Sequence, residues 1–331
     1  MQEFLIIRLS SLGDIIHTIP AYAALRKKFP MDRISWLVEP RGREILGLVS
    51  GIDKVVVFDR KKWFQSLGPV RKREQTVFDF QGLLKSSFLG FLTGSRRRIG
   101  FSRKNLKEPL ASLFYSEQIA ELPEKDLHVI SKNLRLLGAR DSGEERYEFP
   151  IHIPEKLREH VRLKLLKIGH VPGQKLVVCN VGAAWESKRW PPDKWETVIN
   201  AIRWNYAYVL LLWGDDAELR LAREISSRTK TDVAPFFSIQ EVIALLKETS
   251  LLISGDTFAL QAGCALETPV VGIFGPTNPS RNGPFNPRDK VSYQQRPCSP
   301  CYQTACDTME CMKSINPDEV GTLAVRLLAK Q

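Results

Sequence analysis

The chain has 331 residues, 43% hydrophobic and 26% charged, with a net charge of +11, so two ordinary globular domains are expected. No apolar run reaches the ~20 residues of a membrane-spanning helix. No basic leader or signal core precedes the first apolar run, so a cytoplasmic location is expected.

The charge is uneven. Residues 1–160 carry 28 Lys and Arg against 20 Asp and Glu, whereas the remainder carries 20 against 17. Basic clusters stand at Arg60-Lys61-Lys62, Arg71-Lys72-Arg73, Arg96-Arg97-Arg98 and Arg103-Lys104. Such clusters are either solvated faces or attract an anion: a phosphorylated or carboxylated ligand, an acidic membrane, or nucleic acid. A nucleic-acid partner is not expected, because no recognition motif or stacking pattern accompanies them.

In chain order, Phe4 to Leu9 is a short apolar run of the buried-strand type. It ends at Ser10-Ser11, and Gly13-Asp14 leads into a helix from Ile15 to Phe29. Ile34 to Glu39 and Val55 to Phe58 read as strands. Thr76 to Phe80 is another, followed by Gln81-Gly82 and an apolar helix from Leu83 to Leu92. The nearly continuous apolar residues of Phe88 to Leu92 are expected to face the core. Ile99 to Phe101 is a short strand. His128 to Leu137 has helical spacing and Gly138 closes it.

Strands and helices alternate again in the second half. A charged helix spans Glu155 to Lys167, and Lys175 to Val181 is a strand. Pro191-Pro192 opens a helix. Tyr208 to Trp213 is a strand ending at Gly214-Asp215-Asp216. Ser238 and Glu241 form a capping box for a helix to Thr249. Leu251 to Ser254, the turn Gly255-Asp256-Thr257, a helix over Phe258 to Leu266 and a strand over Pro269 to Phe274 complete the pattern. Alternation of this kind implies parallel sheets covered on both faces. The expected domains are 1–165 and 170–315, with a C-terminal helix over 316–331 packing back on the first domain.

Ligands collect at strand C-termini in such sheets. Asp14 stands at the first one, where it is either a helix cap or a general base toward a substrate hydroxyl. In the second half, Gly182-Ala183-Ala184, Gly214-Asp215-Asp216 and Gly255-Asp256-Thr257 are three turns before helices, fit for phosphate. Lys188 can place an ammonium on a diphosphate. Asp216 stands where an acidic residue takes ribose hydroxyls. Each acidic residue alone is equally well a cap; their joint placement favours a site. The absence of G-x-G-x-x-G and of G-x-x-x-x-G-K-[ST] excludes the usual dinucleotide dehydrogenases and P-loop NTPases.

Several stretches together resemble one family. Ile7-Arg-Leu-Ser-Ser-Leu-Gly-Asp14 with His17-Thr-Ile-Pro20, Asp79 to Ser86, Glu108 to Tyr115, Lys188-Arg-Trp-Pro191 with Trp195, Ser254-Gly-Asp-Thr257 and Phe274-Gly-Pro-Thr277 are similar to the lipopolysaccharide heptosyltransferases of glycosyltransferase family 9. The likeness is greatest to their heptosyltransferase I branch. It implies a GT-B fold, two Rossmann-like α/β domains facing an interdomain cleft. It also implies inverting transfer of L-glycero-D-manno-heptose from ADP-heptose to a Kdo sugar of the lipid A core, by an enzyme peripherally bound to the cytoplasmic face of the inner membrane. By position, Asp14 matches the base and Lys188 a diphosphate lysine. Ala183, Ala184, Asp216, Phe237, Asp256, Thr257, Phe258 and Gln261 fall on donor positions, with Phe237 at the adenine. Ser11, Gly13, Arg60 and Lys61 fall on the acceptor side. No cofactor or metal is required where lysine and helix N-termini neutralise the diphosphate.

The chain departs from the family pattern at three places. Phe258 replaces the usual glycine, Gln261 replaces a histidine, and Ala183-Ala184 lack hydroxyls. Gln261 donates a hydrogen bond but carries no charge, which leaves another nucleotide-sugar donor, or a non-catalytic binding role, as alternatives. Finally, Cys298, Cys301, Cys306 and Cys311 have a C-x2-C-x4-C-x4-C spacing that can hold zinc or an iron–sulfur cluster, with reduced thiols or a redox-sensitive bridge as the leading alternative.

Overall fold

Each half of the chain builds one six-stranded parallel sheet, and both sheets have the same strand order. The computed structural model describes residues 1–123, 127–138, 147–205 and 207–330, and only the backbone of Arg60 and Phe64. The chain divides into two compact units, 1–152 and 153–331.

The first unit runs β1 (Glu3–Ile7), α1 (Leu12–Lys28), β2 (Arg33–Val38), α2 (Pro40–Leu46), β3 (Lys54–Val57), α3 (Trp63–Leu67), β4 (Thr76–Asp79), α4 (Leu84–Leu92), β5 (Arg97–Gly100), β6 (Glu117–Gln118) and α5 (Val129–Leu136). Its strands lie in the order β3-β2-β1-β4-β5-β6. Phe4 pairs with Ile34 on one side and with Thr76 on the other. The order reverses between β1 and β4, and a crevice for ligands opens at such a reversal. Leu5, Ile7, Leu37, Val56, Val77 and Leu89 make the core around it.

The second unit runs α6 (Glu155–Lys167), β7 (Leu176–Asn180), α7 (Pro192–Arg203), β8 (Tyr208–Leu212), α8 (Asp216–Thr229), β9 (Asp232–Val233), α9 (Ile239–Glu248), β10 (Leu251–Gly255), α10 (Phe258–Ala265), β11 (Val270–Phe274), α11 (Pro279–Asn282), β12 (Lys290–Tyr293), α12 (Glu310–Lys313) and α13 (Pro317–Ala329). Here the order is β12-β11-β10-β7-β8-β9, so the reversal falls between β7 and β10. Every residue of β7, β10 and β11 is buried, as central strands covered on both faces require. Arg158 and Arg162 of α6 grip the Glu248 carboxylate at the end of α9, at 2.8 Å and 2.9 Å. Helix α13 packs on α7, and its Val320, Ala324 and Leu327 join the core with Trp195 and Ile199. The approach is close: a Cβ at Gly321 would lie 3.3 Å from that of Ala201.

One expected core segment, Phe88 to Leu92, is core on one face only, through Leu89 and Leu92. Phe88 and Phe91 of α4 are exposed, while Ser86, Ser87, Leu89 and Gly90 are buried. Gly90 lies against Ile7 and Val77, where a Cβ would stand in ordinary contact at 3.4 Å and 3.6 Å, and Leu89 joins the core beside it.

Gly100 is fixed by a similar approach. A Cβ there would fall 2.1 Å from the Tyr115 ring, whose hydroxyl donates to the buried Asp79 carboxylate at 2.8 Å. Gly100→Ala should therefore displace Tyr115 and cost about 1–3 kcal/mol, read by urea unfolding; unchanged stability would show that the ring has room to move.

Candidate functional site

At the first reversal, Arg8 follows the last residue of β1 and is nearly buried. Its Nη1 donates to the Phe80 carbonyl at 2.5 Å, and its Nη2 meets Asp14 Oδ1 at 2.7 Å. Gln81, just past β4, accepts from the backbone N–H groups of Leu9 and Ser10 through its side-chain oxygen, at 2.9 Å and 3.3 Å. The β4–α4 turn that carries Gln81 is itself held by Asp79, which accepts from Gln81 N, Gly82 N, Ser86 Oγ and Tyr115 OH.

Asp14 lies in the first turn of α1. Its Oδ2 accepts from the backbone N–H of Ser11 at 3.2 Å and from its hydroxyl at 2.9 Å. The carboxylate thus caps the helix and still keeps 36% of the side chain exposed. Burial pushes its pKa up, but the Arg8 guanidinium, His17 and the two Ser11 donors outweigh that and hold it down to about 2. An acid with a depressed pKa is ionised across the neutral range. A base of this kind keeps its active form as pH falls until about 2. Activity that depends on ionised Asp14 should show no acid limb from it between about pH 4 and pH 7. Arg8→Gln removes the strongest of the lowering influences, so the limb should move up from about 2. A kcat/KM profile of the variant that overlays the parent's would contradict this.

At the second reversal, the Lys188 ammonium closes the 3₁₀ turn Glu186–Lys188 after β7. It donates to the Asp256 carbonyl at 3.0 Å and to Asp256 Oδ2 at 2.8 Å, and stands 4.2 Å from the Trp185 ring centroid. Both members are largely buried, at 14% and 7% side-chain exposure. Gln261 Nε2 donates to Asp256 Oδ1 at 3.3 Å and to the Asn282 carbonyl at 2.7 Å. Asn282 Nδ2 reaches Asp256 Oδ2 at 3.4 Å. Asp256 is thus a hub that fixes one cation and two amides. Asn180, the last residue of β7, donates to Ser254 Oγ and Thr257 Oγ1 at 3.1 Å each, so the β7 and β10 ends are laced together. Phe258 begins α10 directly after the Thr257 cap and is partly exposed.

The remaining expected residues spread more widely. Ala183 is buried and its carbonyl accepts from Arg189 Nε at 3.0 Å; Ala184 is exposed. Asp216 is exposed at the start of α8, where Asp215 is the cap, accepting from Glu218 N at 2.9 Å. Glu218 is the acidic residue at the strand ends: its Oε2 accepts from Gly214 N at 2.6 Å, and a Cβ at Gly182 would lie 2.2 Å from its Cδ. Burial, with Asp215 nearby, raises its pKa. Phe237 is buried with the Lys164 ammonium 5.0 Å above its ring, whereas Phe236 is exposed and tilted against Trp213 at 5.8 Å. Ser11 is exposed, Gly13 partly so, and Lys61 is exposed on a 3₁₀ turn with its N–H on Asp59 Oδ1 at 2.8 Å. The Arg60 side chain lies outside the described residues. Arg8, Gln81, Asn180 and Glu218 carry no role in the sequence reading. Their signal is position alone, a polar residue just past a buried strand.

The zinc expectation is overturned. Among the described residues no group of three or more His, Cys, Asp and Glu side chains is placed to hold a metal. Cys298 is exposed, Cys306 Sγ takes the Met309 N–H at 3.4 Å, and Cys311 is buried in α12, where a Cβ at Gly275 would stand 3.1 Å from its Sγ. The spacing suits a tetrahedral site, but the thiols do not converge on one.

Two parallel sheets of the same strand order, each with polar side chains gathered at its reversal, are the α/β architecture of the GT-B fold. The model of glycosyltransferase family 9 (heptosyltransferase) matches residues 62–312, and the chain belongs to that family; it is a glycosyltransferase. Lipopolysaccharide heptosyltransferase 1 of Pseudomonas aeruginosa is 27% identical over 362 residues, covering 100% of this chain and 99% of that protein. The Campylobacter coli protein of the same name is 30% identical, covering 85% and 86%. The solved structure of E. coli heptosyltransferase WaaC with ADP-2-deoxy-2-fluoro heptose has the same fold, with a TM-score of 0.71 at 23% identity over 89% of this chain and 94% of that one.

Proposed function

We propose that this protein moves L-glycero-D-manno-heptose from ADP-heptose to a Kdo sugar of the lipid A core, with inversion at the anomeric carbon. The names of its relatives support the reaction, and the neighbour solved with an ADP-heptose analogue supports the donor. The observation that carries the mechanism is Asp14: an ionised, partly exposed carboxylate at a strand reversal, held by Arg8.

Asp14 accepts the proton of the acceptor hydroxyl. A carboxylate held down to about 2 is a weak base, so it takes that proton late, once bonding to the anomeric carbon has acidified the hydroxyl. Lys188 and the N-terminus of α10 neutralise the departing diphosphate. Two of the lysine's three N–H donors are on Asp256, and the third serves the phosphate. Asp216, exposed at the start of α8, accepts from the ribose, with Glu218 beside the strand ends as the second candidate. Lys61 and the surrounding basic residues meet the acidic acceptor. Because that acceptor is carried by a lipid, the protein works at the cytoplasmic surface of the inner membrane.

A second reading keeps the chemistry and changes the donor, and Phe258 with Gln261 favours it. Turnover with ADP-heptose, UDP-sugars and GDP-sugars on an acyl-free Kdo acceptor separates the two. Transfer from ADP-heptose alone is expected; transfer from another nucleotide-sugar alone moves the assignment to that donor, and no transfer with any donor refutes both. Gln261→His should keep the hydrogen bond to Asp256 and change turnover less than about tenfold. A loss beyond about a hundredfold would show that the neutral amide itself selects the donor.

A further inference from the structure

Helix α4 carries large apolar residues on its outer face as well as on the face that buries Leu89. Leu84, Phe88 and Phe91 stand at intervals of four and three, which places them on one helical face, and that face is solvent-exposed at 41%, 41% and 48%. The 3₁₀ turn Pro109–Phe114 lies beside it and adds Leu110 and Leu113, exposed at 59% and 74%. The Phe88, Phe91 and Phe114 rings touch one another, with centroids 5.3 Å to 6.5 Å apart. Glu108 Oε2 accepts from Leu84 N at 2.6 Å and fixes the turn to the helix start. Single exposed apolar side chains are ordinary, but five adjoining ones on a rigid support mark a surface made to be covered.

The surrounding charge says what covers it. Residues 84–114 hold seven Lys and Arg against one carboxylate, Glu108. Lys85, Arg97 and Lys104 pair with Glu39, Glu117 and Glu121 outside that stretch, which leaves Arg96, Arg98, Arg103 and Lys107 as the remaining cations. The Arg98 guanidinium sits 5.5 Å from the Phe91 ring centroid, and its N–H groups go to the Phe114 and Ser95 carbonyls, not to a carboxylate. Arg103 and Lys107 are exposed, and Arg96 is exposed with a 3.6 Å contact to the still more open Glu74. Apolar anchors ringed by cations match the boundary between acyl chains and acidic headgroups.

We propose that the outward face of α4 and the turn Pro109–Phe114 form the surface by which this protein docks on an anionic phospholipid bilayer. The inference deepens the membrane-surface part of the function proposed above and rests on it for the choice of a lipid over a protein partner. Docking inserts Phe88, Phe91, Leu110 and Leu113 at the headgroup boundary while Arg98, Arg103 and Lys107 meet phosphates.

The test is co-sedimentation of the full chain with vesicles of phosphatidylethanolamine and phosphatidylglycerol, without any sugar donor. The parent should bind, weaken with salt, and bind phosphatidylcholine vesicles at least about tenfold less well. The double variant Phe88→Ser, Phe91→Ser should lose about tenfold or more in vesicle affinity with an unchanged melting temperature and unchanged transfer to an acyl-free acceptor. Leu113→Trp should gain emission that brominated lipids quench. Equal sedimentation of the double variant and the parent overturns the proposal. So does self-association of the parent that the double variant abolishes, with no vesicle binding. Vesicle binding is read independently of turnover, so docking and the transferase reading fail separately.

Discussion

Replacing Lys188 with methionine should cost more than any other single change in the second unit. The ammonium is held within a buried pair, and removing one partner leaves Asp256 with only the amides of Gln261 and Asn282. Breaking such a pair costs about 3 kcal/mol or more, which a thermal melt reads directly. The catalytic effect is separate. Loss of one preorganised charge facing a leaving diphosphate should lower kcat by about a hundredfold to a thousandfold, and ADP affinity should fall in parallel because the ground state carries the same phosphates. Measured at a temperature where the variant is folded, ADP affinity equal to the parent's would remove Lys188 from the donor site.

Asp14→Asn should give the largest catalytic loss in the first unit. The amide keeps the size of the carboxylate and accepts hydrogen bonds through its oxygen, so the start of α1 stays formed. It cannot take a proton. General-base catalysis is worth about a hundredfold to ten-thousandfold, and a fall of that order is expected in kcat. Donor affinity should change less than about twofold, because no donor contact is assigned to Asp14. The buried Arg8 loses its ionised partner, so some stability is lost too. Solvent screening at the half-open carboxylate keeps that loss small. A variant that turns over within tenfold of the parent would make Asp14 a helix cap and nothing more.

The fold was legible where the chain is strongly patterned. Phe4 to Leu9, Lys175 to Val181 and Leu251 to Ser254 read as buried strands and are central in their sheets. The Ser238–Glu241 box was legible and both of its hydrogen bonds form, at 2.7 Å and 3.3 Å. The two-residue strands β6 and β9 left no pattern, because an edge strand of that length is set by its neighbour and not by its own sequence. Direction around an element was also invisible. Asp216 and Glu218 are two residues apart on one helix start, which sends them to different sides, and only Glu218 turns to the strand ends. Phe236 and Phe237 are adjacent in extended chain, so one faces solvent and the other the interior. The run Phe88 to Leu92 shows its spacing in the sequence, but not which face the sheet covers. The four cysteines show their spacing in the same way, but not where the thiols point.

The central claim is a single displacement at the anomeric carbon with Asp14 as the base. Nuclear magnetic resonance of the product tests it most directly, by comparing the anomeric configuration of the transferred heptose with that of the donor in the first turnovers. The account predicts inversion. Retention would require either a double displacement or attack from the face the diphosphate leaves, and would contradict it.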